Sequence, residues 1–146
     1  MPHPKRSSST TGHYPPGSII AVLAERSQLD FELDFYSRIL AAVPDFAEVL
    51  RVQACNYTLK GRLHEGLAID EKLVAVRPTD ATAHYNLACR YALLKQPDKA
   101  ISTLRKAVEL GYRDFAYMRE DHDLDSIRKD PRFRKLMKEF APQSEW

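Results

Sequence analysis

The chain has 146 residues, 44% of them hydrophobic and 29% charged, with a formal net charge of +2. That length fits one domain, and the composition is ordinary for a soluble globular protein. The near-neutral balance excludes a general electrostatic case for nucleic acid or anionic membrane, both of which need a concentrated basic face. The longest nearly uncharged run, Thr10 to Ala24, contains Gly12, Pro15, Pro16 and Gly17. It cannot be a membrane span, which needs ~20 mostly apolar residues.

Residues 1–17 read as a flexible tail, rich in proline and small hydroxyl residues and poor in apolar ones. Lys5 and Arg6 precede serines and threonines rather than an apolar core, so no secretory signal is expected. The first acidic residue is Glu25, which leaves a basic, Ser-rich organellar presequence as a second reading. The cytoplasm is the expected location. Ser18 is placed to cap a short helix through Ile19, Ile20, Val22 and Leu23. A second helix is expected from about Leu29, carrying Leu33, Tyr36, Ile39, Leu40 and Val43, and stopped by Pro44.

A third helix starts at Asp45 or Phe46, with Glu48 in a capping-box-like position, and ends before Gly61. Its return helix runs from Leu63 to Val76 and stops at Pro78. Thr79 or Asp80 then caps a helix to Leu94, Gln96-Pro97-Asp98 turns the chain, and Lys99 to Leu110 returns to Gly111. Another helix opens near Asp114 with Phe115, Tyr117 and Met118. Asp121-His122-Asp123-Leu124-Asp125 is too polar for a core-facing helix and reads as a turn or one helical turn. Asp130-Pro131 opens a last helix whose stripe of Phe133, Leu136, Met137 and Phe140 suits a capping element.

The strongest signal is internal. Ala54-Cys55-Asn56-Tyr57-Thr58-Leu59 recurs 34 residues later as Ala88-Cys89-Arg90-Tyr91-Ala92-Leu93. Residues 47–80 laid on 81–114 without gaps are identical at eight positions: 47/81, 54/88, 55/89, 57/91, 59/93, 72/106, 74/108 and 80/114. A fixed period of this size marks a stacked helical repeat. These residues resemble the tetratricopeptide repeat over roughly 18–142. The 81–114 unit matches well through Leu87-Ala88, Tyr91, Ala100, Leu104 and Ala107, with Tyr112 replacing the terminal proline. The 47–80 unit keeps Ala54, Tyr57, Gly61, Gly66, Leu73 and Pro78 but puts Gln53 and Asp70 at usually apolar positions. Residues 18–46 look like a degenerate repeat, and 115–142 like a truncated repeat and cap of the kind that ends bacterial arrays. The resemblance implies an all-α, right-handed α-solenoid of about three helix pairs plus a capping helix, with no catalysis of its own.

By the family's pattern the first helix of each repeat lines a concave groove. That assigns Glu48, Arg51, Val52, Cys55 and Thr58 to it, then Thr82, Tyr85, Asn86, Cys89 and Leu93, then Ala116, Arg119, Glu120 and Asp123. The partner-binding set is Arg51, Cys55, Tyr85, Asn86, Cys89 and Arg119. Asn86 suits a peptide amide, Tyr85 offers stacking area, and Arg51 or Arg119 could hold a carboxylate. The family's carboxylate clamp for acidic tails needs Lys, Asn, Asn, Lys and Arg where this chain has Arg51, Cys55, Asn86, Ala116 and Glu120. That clamp is not expected.

Other chemistry finds little support. His122 among Asp121, Asp123 and Asp125 lacks the turn glycine and distal glutamate of a calcium loop. His64-Glu65 has no second histidine at helical spacing. Cys55 and Cys89 read as buried free thiols, and His84 sits about 140° round a helix from Cys89. Residues 113–140 carry eight Lys or Arg against seven Asp or Glu, a solvated mixed face rather than a nucleic-acid stripe. The expectation is a non-catalytic adaptor without metal or cofactor, not bound to nucleic acid or membrane, holding a peptide or helix of a protein partner. It would be a monomer or weak homodimer. The rival reading is a structural or self-associating subunit using its convex or edge surface, favoured if Phe31, Phe35 and Phe46 are not packed inside.

Overall fold

Ser18 opens the helical part of the chain: its hydroxyl accepts the Ala21 N–H at 3.2 Å, just after Gly17 at φ +82°. The computed structural model describes residues 15–142, so most of the expected tail lies outside the described residues. The first helix, α1, runs without a break over Ile19–Ala42. This corrects the expectation of two helices there. Nothing between Leu23 and Leu29 breaks a helix, since Ala24-Glu25-Arg26-Ser27-Gln28 contains neither Gly nor Pro. Pro44 stops it as expected.

Four helices of 13 or 14 residues follow: α2 (Ala47–Leu59), α3 (Leu63–Val76), α4 (Ala81–Leu93) and α5 (Pro97–Glu109). Then come α6 (Phe115–Glu120), a 3₁₀ helix (His122–Ile127) and α7 (Pro131–Phe140). Both ends of α4 lie 34 residues beyond those of α2, and the starts of α5 and α6 lie 34 beyond those of α3 and α4. The aspartates repeat their task at this interval: Asp80 caps Ala83 N–H and Asp114 caps Tyr117 N–H, each at 3.0 Å. The helices pack on their neighbours in chain order, α1 on α2, α2 on α3, α3 on α4 and α4 on α5, while α7 closes on α5.

Small residues set the helix spacing. A Cβ on Gly66 of α3 would lie 3.3 Å from Ala54 O of α2, so only glycine permits this approach without a shift. Ala88, Ala92, Ala100 and Ala107 do the same between α4 and α5. Around them lies the larger core, where Leu104, Phe115, Met118, Leu124, Phe133 and Leu136 are buried together. A smaller cluster joins Leu50 and Leu73 to Leu40 of α1. Among the described residues no helix is long and apolar enough to cross a membrane.

Candidate functional site

The first helix of each 34-residue unit turns one face to a shared cleft of about 400 Å³. From α2 it takes Cys55, Thr58 and Leu59, and from α4 Thr82, Tyr85, Asn86, Cys89 and Arg90. Tyr112, Tyr117, Asp121 and Asp123 close the far wall. Helical periodicity explains the grouping: Thr82, Tyr85 or Asn86, and Cys89 recur every three or four residues on one face of α4.

Of the six partner-binding residues read from sequence, Cys55, Tyr85, Asn86 and Cys89 line this cleft. Arg51 and Arg119 are not among its lining residues. Arg51 is turned to Asp80, with a 2.5 Å ion pair. That bond, after burial works against it and with the Ala83 N–H, holds the Asp80 carboxyl below its ordinary value. Arg119 lies half-buried in the last turn of α6, and its carbonyl accepts the Arg128 guanidinium.

Tyr85 is more deeply set than a docking residue. Only 3% exposed, it donates its hydroxyl to Asp121 Oδ2 at 2.6 Å and stacks on Tyr112 with ring centres 4.2 Å apart. Burial, with Cys89 and Asp121 beside it, pushes its phenol far above the ordinary value. Tyr112 is pushed up to about 12, chiefly by burial and then by Asp114. Both stay neutral, and Tyr85 is the donor. Tyr117 tilts against Tyr85 at 6.2 Å and presents an exposed ring to the cleft.

Asp121 organises the acidic wall. Its Oδ1 caps the 3₁₀ helix through Asp123 N–H at 3.0 Å, while Oδ2 receives Tyr85 and, at 3.7 Å, the Cys89 thiol. One ligand atom each of Cys89, Asp121 and Asp123 lies within 4.8 Å of the others. Burial, then Asp121, pushes the Cys89 thiol up, which suits it as a protonated donor to Asp121. Asp123 is raised as well, by burial and then by Asp121. His122 is not part of this group; its ring meets Asp125 at 3.2 Å. Cys55 is exposed on the cleft, which corrects its reading as a buried thiol, while Cys89 is buried.

Asn86 differs from its neighbours. It is half-buried on the cleft wall, and its amide carries no hydrogen bond to another described residue. An amide so placed has donors and an acceptor left for a ligand. Leu59, Arg90, Tyr112, Tyr117 and Asp121 were not among the groove residues read from sequence. Tyr112 stands 34 positions after Pro78, and that change within the sequence period was the available signal. Tyr117 and Asp121 depend on how the chain folds back after α5, and Leu59 and Arg90 on how α2 and α4 pack.

Among the described residues the chain is all-helical, with a helix arrangement recurring every 34 residues and an open cleft edged by polar side chains. Among known proteins, it is 34% identical over 91 residues to a chloroplastic protein of Arabidopsis thaliana. The aligned stretch is 60% of this chain and 27% of that protein, so the chain spans about a quarter of that relative's length. No family model matches the chain.

Proposed function

We propose that this chain is a tetratricopeptide-type array that holds an extended or helical segment of a partner protein in the cleft between α2, α4 and the 3₁₀ helix. The observation that carries the reading is the Asn86 amide, which bonds to no other described residue, on the wall of a cleft of about 400 Å³ beside the exposed ring of Tyr117. An amide that pairs with a peptide bond and a ring that covers a side chain are what segment binding needs. The 34-residue offset of helix starts and of the Asp80 and Asp114 caps supports the array assignment. For the compartment, a cytoplasmic tail and an organellar presequence are separated by imaging a C-terminally tagged chain in its own cells. The chloroplastic relative favours the second.

Affinity capture with the wild-type chain and an Asn86→Ala/Tyr117→Ala variant tests this. Both side chains lie outside the core, so the variant should keep the wild-type melting temperature. A partner held through the cleft should bind the variant at least about tenfold more weakly. Equal capture by both proteins would sink the cleft reading. Tyr85→Ala is a poor probe, because its loss would leave Asp121 buried without its shortest donor.

A further inference from the structure

The outer face of α1 is built like half of a symmetric seam. Ala24, Gln28, Phe31, Phe35, Arg38 and Ala42 follow one another in steps of four, three, four, three and four, and every one is exposed. That is the spacing of a coiled-coil seam. The opposite face carries Leu33 and Leu40, which serve the packing on α2. Phe31 and Phe35 are 64% and 48% exposed, and their rings lie nearly parallel, 6.0 Å apart, as a flat apolar shelf in water.

We propose that a second copy of this chain covers this face, the two α1 helices pairing antiparallel about a two-fold axis level with Leu33. The step pattern reads the same in both directions, and the residues it matches are complementary. Phe31 meets Phe35 of the second copy, Gln28 meets Arg38, and small Ala24 meets small Ala42, each contact occurring twice by symmetry. A parallel pair would instead set Arg38 against Arg38. Gln28 already gives its amide N–H to Glu32 at 3.0 Å, which leaves its carbonyl to accept from the incoming Arg38 guanidinium. Asp34 is neutralised on its own helix by Arg38 at 3.1 Å. Ile20 and Phe46, four residues beyond the two ends of the pattern, are also exposed and apolar. The paired length is about 27 Å at 1.5 Å per residue.

Sedimentation equilibrium of the full chain should give a mass that rises with concentration from 16.7 kDa towards twice that value. Phe31→Glu, on an exposed position, should keep the wild-type circular dichroism and weaken pairing roughly 100-fold or more. The direction of pairing is read on a Cys55→Ser background, where mixed Ala24→Cys and Ala42→Cys chains should cross-link to each other and not to themselves. A constant single-chain mass, a dimer that survives Phe31→Glu, or self-linking of Ala24→Cys chains would each overturn the proposal.

Discussion

Gln53 and Asp70 stand where helix packing asks for apolar side chains, and each is matched by a group from a neighbouring helix. Gln53 Nε2 donates to Leu33 O at 3.0 Å and to Ser37 Oγ at 2.9 Å, tying α2 to α1. Asp70 takes Arg90 Nε at 2.8 Å, with side chains only 2% and 6% exposed, tying α3 to α4. Burial pushes the Asp70 carboxyl upward, and the guanidinium opposes it. Asp70→Ala should therefore cost roughly 3–5 kcal/mol in urea unfolding, because it strands a buried arginine. Asp70→Leu with Arg90→Met should recover most of that loss, since two apolar groups leave no charge to satisfy. Both departures were visible in the sequence as oddities. Their partners were not, because a residue 16 or 20 positions away becomes a neighbour only once the helices are packed.

At the scale of the element, turn geometry repeats with the sequence period even where the residue changes. Gly61 ends α2 at φ +79°, and Lys95, 34 positions on, ends α4 at φ +58°. Both sit in the left-handed region that closes a helix, but the lysine Cβ makes that conformation costly. Lys95→Gly should raise stability by about 1 kcal/mol, read as a shift in the denaturation midpoint at constant m-value. A loss of stability would mean that the lysine makes up the strain elsewhere. The helix limits from Leu63 to Phe140 were legible because Gly, Pro and Asp mark them. The join across residues 24–28 was misjudged, since a gap in apolar spacing was read as a gap in the helix. A helix can continue without an apolar stripe where no breaker interrupts it.

For the whole molecule, α7 acts as a lid on the last core face. Phe133, Leu136 and Met137 are all buried, within the cluster that includes Leu104 and Phe115. Burying three such side chains stabilises the fold by roughly 5–9 kcal/mol, comparable to the net stability of a domain. Removing residues 131–146 should abolish a cooperative thermal transition and expose a dye-binding apolar surface. A sharp melt within a few degrees of the full chain would show that the preceding helices close their own core. The cleft takes no lining residue from α1, so the two proposed surfaces share no side chain.

The sequence alone determined that the chain is all-helical, where most helices begin and end, and that units recur every 34 residues. Those properties are local: they follow from capping, breakers and periodicity within a turn or two of the chain. Four of the six proposed groove residues were also within its reach, because one helix face is readable from spacing. Only the tertiary structure decided that Tyr85 is a buried strut, that Arg51 is tied to Asp80, and that Tyr112, Tyr117 and Asp121 complete the cleft wall. The Arg51 pair depends on how α2 packs beside the start of α4, and the others on the angle at which the chain returns after α5. That angle is set by how alanines and aromatics interlock across helices, a property of their joint packing that no single stretch of sequence encodes.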